Sequence, residues 1–244
     1  MSSPRRAANE DERLVALRGY QILDTAPEPA LDELTELAAA LCATPISLIA
    51  LVDDARQWFK SRVGFESTET RRDVAFCAHV LDQRTPLVVP DASLDSRFAG
   101  NPLVTGPDGI RFYAGAPLTT RAGHVLGALC VMDRVPRQLS EAQVRGLSTL
   151  SHQVMTQLET RRQADELRER ETRLQESEER FSRIFYSSPT ALFIARLRDG
   201  SIFDVNDAFE RMTGHLRAHC LGRTIAELGL ITEDAREALR ARPR

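Results

Sequence analysis

The sequence predicts a mixed α and β fold built around one central antiparallel hairpin. Three observations carry this reading. Residues 110–133, IRFYAGAPLTTRAGHVLGALCVMD, read as two strands about a tight turn. Neither face of the second strand is clearly polar, the mark of a sheet covered on both sides. Residues 46–53, ISLIALVD, form a near-continuous apolar run, as a buried strand does. Residues 30–42 carry Leu31, Leu34, Leu37, Ala38 and Leu41 at helical spacing.

Composition narrows the function classes. Of 244 residues, 42% are hydrophobic and 27% charged, an ordinary balance for a soluble globular chain. The length suits one large domain or two small ones. A net charge of −3 supplies no basic field for nucleic acid or an anionic membrane. No apolar run approaches the roughly 18 residues that span a bilayer. The opening MSSPRRAANEDE lacks the apolar core of a signal peptide. Cys42, Cys77, Cys130 and Cys220 show no CxxC spacing, so free thiols and a cytoplasmic location are expected.

In chain order, residues 1–8 read as disordered. Asn9, with Glu12 three residues on, offers a capping box for a first helix whose apolar side is Leu14, Leu17 and Ile22. The 30–42 helix follows, and then strand 46–53. That strand turns at Asp53-Asp54-Ala55 into a more polar strand, 56–63. There Trp58 and Phe59 face opposite ways, which puts one in the core and the other near the surface or a dimer seam. Residues 66–73 are polar and read as a loop. A short helix through Phe76, Val80 and Leu81 comes next, then a short strand at 86–89. Residues 91–104 are irregular, with a helical turn at 92–98, and turn signals at Asn101-Pro102 and 106–109 lead into the hairpin. Within it Ile110, Phe112, Ala114, Ala116 and Leu118 share a face. Val125, Leu129 and Val131 alternate against His124, Leu126, Ala128, Cys130 and Met132. Gly115 and Gly127 thin the strands, as where a backbone, a helix or a ligand comes close.

Ser140 with Gln143 forms a second capping box. From there to Phe185 the chain has no proline and one glycine, Gly146. A single helix of about 45 residues, roughly 70 Å, is expected. Leu147, Leu150, Val154 and Leu158 face the globular domain. Beyond Arg161 the apolar side chains thin to Leu167, Leu174, Phe181 and Ile184, and the first three are seven apart, a sparse heptad. So long a polar helix asks for a partner, most simply its own copy, so a homodimer through residues 140–185 is expected. After Pro189 the pattern gives strands at 190–197 and 201–205, then a helix capped by Asn206 and stopped by Gly214. Further short helices are expected at 220–228 and 233–240.

YQILDTAPEPALDELTELAA, LVDDARQWFKSRVG, AFCAHVL, VVPDASLDSRFAGNPLV, IRFYAGAPL and GALCVMDR together resemble the GAF domains of bacterial sensory proteins, over residues 9–160. The resemblance implies an α+β fold: a GAF-type antiparallel sheet of about six strands, helices on one face, and a ligand-sized pocket on the other. EERFSRIFYSSPTALFIARLRDGSIFDVNDAFERMTG with CLGRTIAEL resembles the start of a PAS domain. It implies a partial PAS-type α/β fold at 178–244, after a coiled-coil-like helical linker at 161–177. TEDAREALRARPR holds no candidate for three further PAS strands, so that domain reads as truncated.

The two resemblances imply a cytoplasmic signal-transduction input module. It would sense a small molecule, not identified, or a protein partner, and transmit through a dimeric helix, as in sensor histidine kinases. No kinase, cyclase or phosphate-loop motif is present, so no catalysis is expected of this chain. A longer homologue could be a histidine kinase or a diguanylate cyclase. A dimerisation scaffold without ligand is another reading. No cofactor is assigned.

Asp91, Arg97, Asn101, Arg111 and Tyr113 lead the candidate ligand-binding set. Asp91 and Arg97 lie in the stretch that covers the sheet in GAF domains, and Arg111 and Tyr113 share a strand face. A few polar groups converging on an apolar cavity is the usual build of a small-molecule site. An internal salt bridge of Asp91 or Asp95 with Arg111 is the equal alternative. Cys77 and His79 join the set, because a Cys near a His can be an activated nucleophile. At i, i+2 on a helix, however, the two point to different faces. Free-methionine-sulfoxide reductases, which are GAF-like, pair a Cys at the position of Cys77 with one in the loop before the central hairpin. Here residues 91–109 hold no Cys, and bilin attachment fails at the same loop. His215 and His219, at i, i+4 beside Cys220, would suit zinc on a helix. Residues 216–222 read instead as a loop, and no metal site is assigned.

Overall fold

The computed structural model describes residues 9–107 and 109–231. The expectations for residues 1–8, Asp108 and 232–244, including the last helix and the missing PAS strands, lie outside them. The chain divides into two compact units, residues 1–166 and 167–244.

The first unit is a six-stranded antiparallel sheet in the order β3-β2-β1-β6-β5-β4. Its strands are β1 (Ile46–Val52), β2 (Arg56–Val63), β3 (Glu69–Arg71), β4 (Leu87–Val89), β5 (Phe112–Thr119) and β6 (Val125–Asp133). Every residue of β1 and β6 is buried, because both faces of the sheet centre are covered. Helices α1 (Glu10–Gly19) and α2 (Pro29–Cys42) and the start of α4 (Glu141–Ser187) cover one face. Leu17, Leu31, Ala38, Leu147 and Val154 pack there on Ile49, Leu51, Phe112 and Leu129. The other face meets loops, two 3-10 turns (Arg72–Val74 and Phe76–His79) and the short α3 (Pro102–Thr105). There Phe76, Cys77, Phe98 and Val104 pack against Leu48, Phe59, Tyr113 and Cys130.

Several sequence expectations change at this level. Trp58 and Phe59 are both buried, 8% and 4% exposed, because the sheet carries a core on each side. Leu118 pairs with Gly127 and Thr119 with Val125, a bulge that skips Leu126. Leu126 therefore joins Leu129 and Val131 on the helix face, and Val125 turns to the other. Ile110 precedes the strand and packs on the loop face. The polar stretch 66–73 contains β3, an edge strand too short to show alternation. The expected helix near Phe76 is two 3-10 turns separated by an extended Ala75. Asn9 sits at the N-cap of α1 but makes no capping bond; its Nδ2 lies 3.0 Å from His124 Nδ1. The second box forms as read: Gln143 N donates to Ser140 Oγ (3.2 Å) and Ser140 N to Gln143 Oε1 (2.9 Å).

In the second unit β7 (Phe193–Ala195) and β8 (Ile202–Val205) form a two-stranded antiparallel sheet, followed by α5 (Asp207–Thr213) and α6 (Arg217–Cys220). The fully buried Asn206 organises it. Its Oδ1 accepts from Phe209 N (3.0 Å) and Leu192 N (2.9 Å), and its Nδ2 donates to the Phe185 and Thr190 carbonyls (3.0 and 2.8 Å). Ile202, Val205, Phe209, Cys220 and Leu228 make a small core. The helix expected over 220–228 is replaced by α6, which begins earlier and stops at Cys220, followed by turns.

Candidate functional site

The loop-covered face of the sheet holds a small cavity whose wall contains two of the candidate residues. Cys77 comes from the second 3-10 turn and Tyr113 from β5. Gly115 pairs with Cys130 across the hairpin, which brings Cys130 to the same face. The Tyr113 hydroxyl donates to Cys77 Sγ (3.4 Å), and Cys77 Sγ donates to Cys130 Sγ (3.6 Å). All three residues are fully buried. The phenol fits because residue 115 is glycine: a Cβ there would lie 2.1 Å from Tyr113 Oη. The Phe76 ring stacks on Tyr113 at 5.1 Å and on Phe98 at 4.5 Å, which closes that side of the cavity.

Gln57, Phe59, Phe65, Thr70, Leu103 and Met132 contribute to the rest of the wall. The free space admits the centre of a water-sized sphere over only ≈ 10 Å³, about enough for one water. Gln57 and Thr70 are cross-strand partners, and Gln57 Oε1 and Thr70 Oγ1 are buried without hydrogen-bond partners. An unmet buried polar group costs about 1–3 kcal/mol. The cavity is thus an apolar pocket with an unanswered acceptor on its wall. Burial first, then the two neighbouring sulfurs, push the Tyr113 hydroxyl well above its ordinary range. The hydrogen bond from Cys77, then burial, do the same to the Cys130 thiol.

The other five candidates serve the loop over the sheet. Arg111 grips Asp91 with both arms of its guanidinium, at 2.8 and 2.6 Å, so the internal salt bridge is the arrangement that forms. That grip holds the Asp91 carboxyl well below the usual carboxylate range. Arg97 pairs with Asp95 (2.6 Å) and lies over the Phe98 ring. His79 meets the same ring edge-on, and burial, then Arg97, lower its pKa and favour the neutral imidazole. Asn101 caps α3 through Leu103 N (2.9 Å) and donates to the Val74 carbonyl (2.9 Å), tying α3 to the first 3-10 turn. Of the seven candidates, Cys77 and Tyr113 line the cavity; the polar groups of Asp91, Arg97, Asn101 and Arg111 are bound within the protein.

Sequence reasoning missed Gln57, Thr70 and Cys130. Gln57 falls in the strand read as more polar and Thr70 in the stretch read as a loop, and the pairing of β2 with β3 brings the two together. The register at the turn 120–123 would set Leu129 opposite Gly115, and the bulge at Leu126 sets Cys130 there instead. Wider open clefts lie beside α4, around Arg121 and Glu159. Glu159 there accepts from both the Tyr20 hydroxyl and Arg162.

The sheet order, with helices on one face and loops over a small cavity on the other, defines a sensory domain of the GAF type. The GAF domain family model matches residues 26–158, and the chain belongs to that family. The PAS fold model matches residues 179–243. A cyclic di-GMP phosphodiesterase of Pseudomonas aeruginosa is 38% identical over 163 residues, 66% of this chain. The chain spans 28% of that relative's length. Among solved structures, the GAF domain of an Acinetobacter phosphoenolpyruvate-protein phosphotransferase matches at 20% identity, TM-score 0.46, covering 64% of this chain and 98% of that one. A bacteriophytochrome from R. palustris matches at 12% identity, TM-score 0.49, covering 75% and 43%. A type II free methionine-R-sulfoxide reductase from Thermoplasma acidophilum matches at 10% identity, TM-score 0.41, covering 53% and 94%. No helix among the described residues is long and apolar enough to cross a membrane.

Proposed function

We propose that this chain is the input region of a cytoplasmic signalling protein, and that its GAF domain takes a small, neutral molecule in the cavity at Gln57, Cys77 and Tyr113. The observation that carries the reading is Gln57 Oε1, a buried acceptor with no donor, set in an apolar wall. A hydrogen-bond donor on a small ligand would satisfy it. Such a ligand needs more room than one water, so the wall must give. The part best able to move is the Phe76–His79 turn with the half-buried Phe65 and Leu103, which has no strand ladder to hold it. Arg97, Asn101, His79 and the Asp91–Arg111 pair would set the resting position of that loop. GAF and PAS-fold domains fit signal input rather than catalysis, and the resemblance to part of a cyclic di-GMP phosphodiesterase fits an output module elsewhere in a longer protein. A kinase or cyclase would serve equally as that module.

Ligand occupancy would bias α4, and α4 would act as a dimer with a second copy through residues 140–185. Leu167, Leu174, Phe181 and Ile184 are 56, 61, 52 and 65% exposed, a row of apolar side chains on a polar helix. Each contributes about 1.5–3 kcal/mol when fully buried, offset in part by association entropy. Leu174→Glu is expected to shift sedimentation toward monomer. A variant as dimeric as the parent would rule out this seam.

The runner-up is a thiol-dependent methionine-sulfoxide reductase. It is favoured by one observation, the second thiol 3.6 Å from Cys77. Incubation with free methionine sulfoxide and a dithiol separates the readings. No turnover is expected, and turnover abolished by Cys77→Ser would replace the sensor with the enzyme.

A further inference from the structure

We propose that Cys77 and Cys130 form a redox site, closed to an intramolecular disulfide by hydrogen peroxide or a peroxide of similar size. The two sulfurs come from a 3-10 turn and a central strand, yet lie 3.6 Å apart. A disulfide requires about 2.0 Å. The gap can close from one side. Cys130 is held by ladders to Leu48 and Gly115, while Cys77 sits in a turn with an extended residue before it. The inference concerns the thiols and stands whichever ligand the cavity takes.

The cavity sets which oxidant arrives. Both thiols line it, and its room is close to that of a single water, so a two-oxygen peroxide is near the size limit. A tripeptide disulfide is far beyond it. Phe65 and Leu103, the partly exposed members of the wall, provide the way in. The Tyr113 hydroxyl already donates to Cys77 Sγ and would stabilise negative charge developing there.

The steps balance. The Cys77 sulfur attacks one peroxide oxygen and the O–O bond breaks. The leaving hydroxide takes the thiol proton as water, and Cys77 becomes a sulfenic acid. The Cys130 sulfur then attacks the Cys77 sulfur, the S–OH bond breaks, and the Cys130 proton leaves with the hydroxyl as a second water. Two thiols lose two electrons, and one peroxide becomes two waters. The hydrogen bond from Cys77, then burial, keep the Cys130 thiol protonated, so slow closure of the disulfide is expected, over minutes to hours rather than seconds.

The full chain carries its own controls. Cys42 lies in the helix-face core and Cys220 in the second unit. The test exposes the native chain to excess hydrogen peroxide, blocks remaining thiols in denaturant, and maps peptides by mass spectrometry without reduction. The expected result is loss of two of the four thiols and one crosslinked peptide pair joining Cys77 to Cys130 within a single chain. Cys130→Ser should abolish the crosslink and leave Cys77 as sulfenic or further-oxidised forms. The mapping of the parent chain decides the matter even if that variant does not fold. Glutathione disulfide in place of peroxide should leave all four thiols free. Free Cys77 and Cys130 after peroxide treatment, or links through Cys42 or Cys220 or between chains, would overturn the site. An equally fast link with glutathione disulfide would overturn entry through the cavity.

Discussion

Gly127→Ala is expected to destabilise the first unit by more than about 4 kcal/mol, in the range reserved for severe core defects. Gly127 lies on β6 against β1, at the centre of the sheet. A Cβ there would stand 1.9 Å from the Ala50 carbonyl oxygen and 2.9 Å from Leu51 Cα. Both are backbone atoms of the neighbouring strand, so no side-chain rotation relieves the clash. The two central strands must separate, and the ladder between them fails. Both faces suffer, because Ala50 and Leu51 point into opposite cores. Urea unfolding followed by circular dichroism measures this, and a variant within 1 kcal/mol of the parent would mean that the bulge beside Gly127 absorbs a methyl group.

Glu10→Ala is expected to cost about 3–5 kcal/mol, the usual penalty for leaving buried charge without its partner. Glu10 Oε1 receives Arg13 Nη2 and Arg72 Nη1, each at 2.6 Å. Arg13 is fully buried and also donates to the Val52 carbonyl, and Arg72 donates to the Asp53 carbonyl. One carboxylate thus latches α1 to the β1–β2 turn and to the first 3-10 turn. Arg72 Nη2 already lacks a partner, so removing Glu10 leaves little else to answer the two guanidiniums.

The pH dependence follows with a definite sign. Burial alone would raise the Glu10 pKa, but Arg72 and Arg13 outweigh it and hold the carboxyl at about 2, against an ordinary 4.5. A depressed folded-state pKa contributes stability above the unfolded value and loses it as pH falls through the folded one. The gap between parent and Glu10→Ala should therefore be full above 4.5 and shrink toward 2. Urea midpoints of both proteins at neutral and acid pH check this. A gap that stays constant would show that the carboxylate charge is not what holds the cluster.

What was legible in the sequence was what local pattern decides. The apolar run of β1, the capping box at Ser140 and the Asn206 cap each depend on residues within one element. The Asp91–Arg111 pair was legible as one of two alternatives, since opposite charges beside a strand end leave few other partners. What was not legible needed neighbours distant in sequence. Trp58 and Phe59 could both be buried only once helices covered one face and 3-10 turns the other. Leu126 changed face because a bulge shifted the register, which alternation cannot reveal. Cys130 met Cys77 through hairpin pairing and loop closure together. Gln57 shares a strand face with Phe59, and that face is buried only because loops and 3-10 turns distant in sequence cover it.

The cavity at Gln57 and Tyr113 is the proposed sensory site. Native mass spectrometry of the full chain, freshly purified, tests it most directly. One small molecule per chain is expected, released when the solution is acidified, with the added mass lost in a folded Gln57→Leu variant. A chain found at its bare mass, or an added mass that Gln57→Leu leaves unchanged, would contradict it.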